Sequence, residues 1–168
     1  MLQVYTGDGK GKTSAAIGAA TRALGRGWRV LLIQFFKPEP SGEIQVLACF
    51  APLLEIIRSQ VPHPLFSKEQ KETVQTKLKE EWQSMLSRIE RGTWDMLILD
   101  EMNVVLTGAF LTWEEVSPLL RFLPEKEIIF TGRGIIPPLE RKADLITEMV
   151  ERKHPYERGL PGREGIEY

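Results

Sequence analysis

The residues best suited to chemistry form one octapeptide near the start of the chain, Thr6-Gly7-Asp8-Gly9-Lys10-Gly11-Lys12-Thr13. It follows a short apolar run at residues 2–5 and leads into an alanine-rich segment that begins at Ser14. A strand, a glycine-rich loop and a helix in this order bind phosphate, because the loop amides and the helix N-terminus both direct positive charge at an anion. The sequence therefore predicts a phosphate-binding loop here.

Within this loop two side chains have separate chemical tasks. Lys12 is placed to reach phosphate oxygens, and the Thr13 hydroxyl is placed to coordinate Mg²⁺. Thr6 stands where the pattern Gly-x-x-x-x-Gly-Lys-Ser/Thr has its first glycine, so the match to that motif is incomplete. The alternative is a glycine-rich turn that only caps a helix. The motif and its flanking segments together favour phosphate binding and leave open which phosphate compound is bound.

A second group of candidate residues follows the apolar run at residues 96–99, where Asp100 and Glu101 are adjacent. An acidic residue at the end of a strand, downstream of a phosphate loop, supplies a carboxylate to the Mg²⁺ of a nucleotide, directly or through water. Taken alone, the pair could equally be the N-cap and first-turn acid of a helix. With the glycine loop, it predicts a metal site formed by Thr13, Glu101 and Asp100.

A third candidate is an arginine between two glycines, Arg133 in the segment Thr131-Gly132-Arg133-Gly134. It follows the apolar run at residues 127–130, at the expected carboxyl end of a strand. The glycines let the backbone approach a ligand closely, and a guanidinium suits an anionic or planar partner. The alternative is a simple turn that carries a solvated arginine.

The composition limits the class of protein to which these residues can belong. A chain of 168 residues with 42% hydrophobic and 27% charged residues is expected to form a single domain, residues 1–168. The net charge of −1 gives no reason to expect nucleic acid or a membrane as partner. A single cysteine, Cys49, excludes an intrachain disulfide, and we expect it to be buried. With no apolar run long enough to cross a bilayer and no room for a signal peptide, we expect a cytoplasmic protein.

The remaining pattern predicts an α/β fold with a mostly parallel sheet. The predicted strands are residues 2–5, 29–36, 53–57, 95–101, 127–131 and 144–150, and the predicted helices are residues 13–26, 67–91, 112–122 and 139–142. Continuous apolar runs are typical of parallel strands buried on both faces. Ser67 and a capping box from Thr112 to Glu115 are expected to start two of the helices. Residues 44–50 have no assignment.

The order of several further segments resembles a known family. These segments are Gln34-Phe35, Leu99-Asp100-Glu101 with Asn103, Thr131-Gly132-Arg133-Gly134, residues 143–149, Lys153-His154 and Gly165-Ile166-Glu167. Together with the octapeptide they resemble the cobalamin (corrinoid) adenosyltransferases of the CobA/CobO/BtuR type. The resemblance runs from about residue 2 to residue 168, in order and without large gaps.

This resemblance implies a RecA-like P-loop fold, usually in a homodimer. It implies an enzyme that transfers the 5′-deoxyadenosyl group of ATP to the cobalt of a reduced corrinoid and releases triphosphate, with Mg²⁺ (or Mn²⁺) bound and a flavoprotein such as flavodoxin as reductant. The implied catalytic residues are Lys12, Thr13 and Glu101. The implied nucleotide-binding residues are Thr6, Gly7, Asp8, Gly9, Lys10, Gly11, Lys12, Thr13, Ser14, Asn103 and Arg133.

The sequence departs from the family pattern where the corrinoid would bind. Some members have a basic N-terminal extension over the site, whereas this chain starts at its first strand. Some have a Phe-x-Trp pair where this chain has residues 61–66, so His63 or Phe66 could act there, although a histidine between two prolines is more often a plain loop residue. Near the end, Gly162-Arg163 replaces an Ala-Gln or Ala-Arg pair. A P-loop ATPase or small-molecule kinase, or a nucleotide-binding protein without turnover, remains the alternative.

Overall fold

The computed structural model of the chain describes residues 1–37, 42–64, 70–153, 159, 162–163 and 165–166. Its centre is a six-stranded sheet in the order β3-β2-β4-β5-β1-β6. The strands are β1 (Leu2–Thr6), β2 (Val30–Gln34), β3 (Leu54–Arg58), β4 (Met96–Asp100), β5 (Glu127–Thr131) and β6 (Leu145–Glu148). All neighbouring strands pair in parallel. The predicted α/β class is therefore confirmed.

This strand order determines where the candidate residues meet. The phosphate loop leaves the carboxyl end of β1, and Asp100 ends β4, with β5 lying between these two strands. Because the strands are parallel, all three carboxyl ends lie at one edge of the sheet, where α/β proteins bind ligands. A strand inserted between the loop strand and the acidic strand agrees with the RecA-like P-loop fold.

Helices cover both faces of the sheet. They are α1 (Lys12–Leu24), α2 (Gly42–Leu47), α3 (Lys71–Glu90), α4 (Met102–Thr107), α5 (Trp113–Val116) and α6 (Pro137–Lys142), with 3-10 turns at Ala48–Phe50 and Ser117–Phe122. The buried side of α1 consists mainly of alanines, which let it lie close against the sheet. On the other face the fully buried Trp82 of α3 packs against Phe35, with ring centroids 6.0 Å apart.

The structure corrects several sequence-based expectations about the fold. Cys49 is exposed, because it lies in the 3-10 turn that precedes β3 and not on a core-facing strand. Helix α3 begins at Lys71 with Gln70 at its N-cap position, so the predicted start at Ser67 is wrong. The unassigned stretch at residues 44–50 is helical, and α4 was not predicted. The apolar and β-branched residues of α4 resemble a continuation of the strand before it.

Other expectations are confirmed or lie outside the described residues. The capping box is present, since the Thr112 hydroxyl accepts from the Glu115 amide and the Glu115 carboxylate accepts from the Thr112 amide. The predicted helix after it is divided, with α5 followed by the 3-10 turn. Phe66, Ser67, His154 and Glu167 are not among the described residues. No helix in the described part of the chain is both long and apolar enough to cross a membrane.

Candidate active site

The phosphate loop between β1 and α1 has the backbone that its glycines permit. Gly7 and Gly11 have φ angles of 96° and 116°, a region that residues with side chains rarely adopt. The loop is supported by the segment that follows β6, because the Gly9 amide donates to the Met149 carbonyl at 2.7 Å and the Met149 amide donates to the Thr6 carbonyl at 2.8 Å. The loop is thus shaped by tertiary contacts as well as by its sequence.

The support by Met149 makes Gly9 sensitive to substitution. A Cβ atom at Gly9 would lie 2.7 Å from the Met149 carbonyl oxygen, so Gly9→Ala must push these two backbones apart. We expect Gly9→Ala to lower the free energy of unfolding by about 1–3 kcal/mol and to weaken nucleotide binding, measured by denaturant titration and calorimetry. The matched control is Gly18→Ala, because Gly18 lies in α1 with open space around it. An equal loss of nucleotide affinity in both variants would contradict this account of the loop.

Lys12 lies in the first turn of α1, and its ammonium group points back at the loop. Its Nζ donates to the Gly7 and Gly9 carbonyl oxygens, at 2.7 Å each. Burial lowers the pKa of Lys12, and the nearby Glu101 carboxylate partly offsets this shift. In the described part of the chain these two partners are neutral carbonyls, and a phosphate that enters the loop would give the lysine a stronger partner. The geometry agrees with the predicted role of Lys12.

Thr6, the departure from the glycine pattern, connects two loops of the site. Its buried hydroxyl donates to the Gly134 carbonyl at 2.8 Å and so ties the end of β1 to the loop that carries Arg133. Arg133 in turn lies with its Nε 3.9 Å from an oxygen of Asp8, in an exposed pair. A glycine at position 6 could not make this bond. The threonine therefore has a positioning role that the motif alone does not show.

The bond from Thr6 gives a prediction with a built-in control. Thr6→Val keeps the shape of the side chain but leaves the Gly134 carbonyl without its donor, at a cost of about 1 kcal/mol. We expect KM for ATP to rise about 3- to 10-fold with a smaller change in kcat, because Arg133 is less well placed. Thr6→Ser retains the hydroxyl and should restore KM. If Thr6→Ser were as impaired as Thr6→Val, the hydrogen bond would not be the cause.

Asp100 is the centre of a hydrogen-bond cluster that joins three strands and the phosphate loop. It is fully buried. One carboxylate oxygen accepts from the Thr13 hydroxyl at 2.8 Å and the Thr131 hydroxyl at 2.6 Å, and the other accepts from the Gln34 amide at 3.1 Å and the Lys37 ammonium at 2.5 Å. Lys37 also donates to the Thr13 hydroxyl at 3.0 Å. The predicted proximity of Thr13 and Asp100 is present in the structure.

These residues fit a divalent cation. Hydroxyl and carboxylate oxygens are the ligands that Mg²⁺ prefers, and a cationic group already lies between the two of them. The Gln34 side-chain oxygen is buried in the same cluster without a hydrogen-bond donor. Among the described residues no three His, Cys, Asp or Glu side chains are grouped to hold a metal. A cation at Asp100 and Thr13 would therefore take most of its remaining ligands from phosphate or water.

Glu101 lies beside this cluster in an unusual backbone conformation. Its φ of 66° is left-handed, and its amide donates to the Thr131 hydroxyl at 3.0 Å. It occupies the N-cap position of α4, where its carbonyl accepts from the Val104 and Val105 amides but its carboxylate makes no capping hydrogen bond, so the carboxylate is not used as a helix cap. Burial, and then the Asp100 charge, raise the pKa of Glu101, while Lys37, Lys12 and Arg133 act against the rise. A bound cation would relieve this unfavourable placement.

The remaining predicted site residues differ in how they reach the site. Asn103 is fully buried behind the Arg133 loop, where its amide nitrogen donates to the Gly132 carbonyl at 3.1 Å and its side-chain oxygen is buried without a hydrogen-bond donor. Lys10 is exposed and donates to the Ile166 carbonyl at 2.7 Å, which brings the end of the chain to the phosphate loop. Ser14 is exposed in the first turn of α1.

An open cleft lies next to the phosphate loop, with a volume of about 420 Å³. Its lining residues are Asp8, Arg133, Glu148, Val150 and Glu151. His63, from the region where the family has aromatic residues, packs edge-on against Phe36 with ring centroids 5.5 Å apart. Burial, and then the Arg133 charge, lower the pKa of His63 and so favour its neutral imidazole.

Several residues of the site were not identified from sequence. Gln34, Lys37, Thr131 and Met149 all contact the predicted residues. For two of them the sequence does indicate a place in the site, because Gln34 ends a continuous apolar strand and Lys37 begins the loop after it. The carboxyl end of any strand in a parallel sheet is a candidate position for a ligand-binding side chain.

Known proteins of one family match this chain over its whole length. The model of the family described as ATP:corrinoid adenosyltransferase BtuR/CobO/CobP matches residues 1–168. A corrinoid adenosyltransferase of Escherichia coli (strain K12) is 32% identical, in an alignment that covers 100% of this chain and 85% of that protein. The corresponding protein of Salmonella typhimurium is 31% identical with the same coverage, and that of Pseudomonas aeruginosa is 30% identical over 100% of this chain and 83% of its own length.

Among solved structures, a replication initiator DnaA bound to AMPPCP and single-stranded DNA superposes with a TM-score of 0.42 and 18% identity, over 88% of this chain and 39% of that one. The family match, in contrast, extends over the full sequence and includes both the phosphate loop and the acidic pair. The chain belongs to the ATP:corrinoid adenosyltransferase family BtuR/CobO/CobP.

Proposed function

We propose that this protein transfers the 5′-deoxyadenosyl group of ATP to the cobalt of a reduced corrinoid. The observation that carries the proposal is the convergence of a phosphate loop and a buried acidic cluster at one sheet edge, within a chain that matches the family over its whole length. Lys12 and Thr13 come from the loop, and Asp100 and Glu101 from the end of β4. The same set of side chains would serve an ATPase, so the family match decides between the two reactions.

The reaction suits a site without a dedicated protein nucleophile. The electron pair of Co(I) attacks C5′ of the ribose, the Co–C bond forms, and the C5′–O bond breaks. Triphosphate leaves with the bonding electrons, and cobalt is oxidised from Co(I) to Co(III). The protein has to hold carbon against cobalt and to stabilise charge on the leaving group. Lys12, Lys10 and the loop amides are the groups proposed for the second task, and the supporting observation is that the Lys12 ammonium lies against the loop.

Mg²⁺ is proposed as the metal of this site, with Mn²⁺ as a substitute. When bound, the metal neutralises charge on the triphosphate as it departs. Thr13 and Glu101, together with Asp100, are the residues of this chain that would hold it. The supporting observation is the oxygen cluster around Asp100, where the Lys37 ammonium already occupies a cation position.

The open cleft is the proposed place of the adenosyl group, next to the loop that holds the phosphates. Arg133 and the carboxylates of Asp8, Glu148 and Glu151 give it donors and acceptors for a ribose or a base. The residues that enclose the corrinoid are proposed to include His63, whose ring lies within electrostatic reach of Arg133. As the family resemblance implies, we further propose a single-domain cytoplasmic homodimer that receives reduced corrinoid from a flavoprotein such as flavodoxin.

The deciding experiment is an anaerobic incubation with ATP, Mg²⁺ and chemically reduced cob(I)alamin. The proposal expects the visible spectrum of a light-sensitive alkylcobalamin to appear, together with an equal amount of triphosphate. Release of ADP and phosphate without a spectral change would instead establish a P-loop ATPase or small-molecule kinase. ATP binding with neither product would indicate a nucleotide-binding protein without turnover.

A further inference from the structure

Lys37 is the one cation in direct contact with the Asp100 cluster among the described residues. Its Nζ lies 2.5 Å from one oxygen of Asp100 and 3.0 Å from the Thr13 hydroxyl oxygen. Asp100 and Thr13 are two of the three residues that would hold the proposed metal, the third being Glu101. An ammonium group at hydrogen-bond distance from both oxygens leaves no space for a cation bound directly to both, since Mg²⁺ requires oxygens at about 2.1 Å.

The backbone around Lys37 is fixed by contacts of its own. The Arg58 guanidinium donates to the Lys37 carbonyl at 2.5 Å. The preceding residue, Phe36, has a left-handed φ of 58° that a bulky side chain adopts only under tertiary constraint. The Phe36 ring is buried and packs edge-on against His63 and Phe110, with centroids 5.5 Å away in each case. These contacts aim the Lys37 side chain at the carboxyl end of β4.

The two ends of this contact differ in their freedom to move. The Asp100 side chain is 1% exposed, whereas the Lys37 side chain is 28% exposed. Asp100 cannot leave the cluster without breaking its bonds to two strands, but the Lys37 stem has an open side through which its ammonium can turn away. If a metal enters, the lysine is therefore the group that moves.

We propose that Lys37 is a positioning residue whose ammonium group occupies the metal position in the nucleotide-free protein. This inference rests on the proposed function, because it concerns the metal that would accompany ATP. The ammonium neutralises the buried Asp100 charge and keeps Thr13 and Asp100 in place. The divalent ion and the ammonium exclude each other at these oxygens. A triphosphate supplies new anionic partners for the displaced ammonium, so metal and nucleotide enter the site together.

The test measures Mn²⁺ binding to the full chain without nucleotide or corrinoid, by electron paramagnetic resonance of the free ion. We expect weak binding to the unmodified protein and binding that is about 10- to 100-fold tighter in Lys37→Met, because the competing charge-assisted bonds are gone. Lys37→Gln keeps a neutral donor for Asp100, and its Mn²⁺ binding should also be tighter than that of the unmodified protein. The control is Lys142→Met, which removes an exposed lysine at the end of α6 and should leave Mn²⁺ affinity unchanged.

Thermal unfolding provides a second readout, in case a variant is poorly stable. Lys37→Met leaves Asp100 buried without its cation, so we expect a lower Tm in metal-free buffer and a larger rise of Tm on adding Mn²⁺ than in the unmodified protein. Equal Mn²⁺ affinities in all proteins, including no detectable binding in any, would overturn the inference. Weaker Mn²⁺ binding in both Lys37 variants would also overturn the inference, because Lys37 would then support the metal site. Neither measurement uses the transfer reaction, so the inference can fail while the proposed function stands.

Discussion

Lys12→Ala is expected to abolish ATP binding and, with it, all adenosyl transfer. The Lys12 ammonium is held at the mouth of the loop by the Gly7 and Gly9 carbonyls, ready to turn to a phosphate. Two charge-assisted bonds to phosphate correspond to a loss of about 100- to 10,000-fold in affinity when they are removed. Calorimetric titration with ATP and Mg²⁺ measures the effect directly.

The control for this variant is Lys142→Ala, which removes one exposed positive charge at the end of α6. It separates the loss of a specific contact from the general change in net charge, and its ATP affinity should equal that of the unmodified protein. A Lys12→Ala protein that bound ATP within a factor of about three of the original would show that the nucleotide does not use this loop in the expected way.

Glu101→Gln is expected to change activity and stability in opposite directions. Loss of a carboxylate that is proposed to bind the metal should lower kcat by at least about 100-fold, equivalent to several kcal/mol of leaving-group stabilisation. In the ligand-free protein the same change should raise Tm, because burial and Asp100 raise the pKa of Glu101 and make its charged form unfavourable. Removing about 1 kcal/mol of this penalty corresponds to about 2–4 °C for a chain of this length.

The pH dependence of this gain in stability follows from the direction in which the pKa of Glu101 is shifted. The folded pKa of Glu101 lies above its ordinary value of 4.5, so the folded state binds the proton more tightly than the unfolded state. The penalty is fully present above the raised pKa and disappears as the pH falls to the ordinary value. The difference in unfolding free energy between Glu101→Gln and the unmodified protein should therefore shrink on acidification.

Denaturant titrations over a pH series measure this difference. Glu125→Gln is the control, since Glu125 is exposed in the turn before β5 and should change neither turnover nor Tm. If Glu101→Gln were less stable than the unmodified protein at neutral pH, the carboxylate would be stabilised by its surroundings and the account of its burial would be wrong.

The parts of the site that could be predicted from sequence lie within continuous segments. The glycine loop, Lys12 and Thr13 occupy adjacent positions, and Asp100 and Glu101 end an apolar run whose length is that of one strand. The role of each of these residues can be predicted from the residues next to it in the chain. The buried parallel strands were predictable for the same reason, because their apolar character is continuous and requires no knowledge of their partners.

The parts that could not be predicted depend on contacts between distant segments. The bond from Thr6 spans 128 positions in the chain, and the bond from Lys37 to Thr13 spans 24. The residues next to Thr6 and Lys37 in the chain do not indicate which distant residue either side chain contacts. Cys49 was misplaced because a lone cysteine resembles a small apolar residue, and only the path of the chain between α2 and β3 leaves it at the surface.

The position of β6 has a consequence for motion at the phosphate loop. Among the strands that the structure describes, β6 is at the edge of the sheet and pairs with β1 alone, and its four side chains are exposed. Edge strands with few buried contacts open locally at a lower free energy than the centre of a sheet. Since Met149 follows β6 and bonds to both Thr6 and Gly9, the amide hydrogens of Gly9 and Met149 should exchange with solvent at similar rates. We therefore expect the phosphate loop to open together with this edge of the sheet while the rest of the protein stays folded.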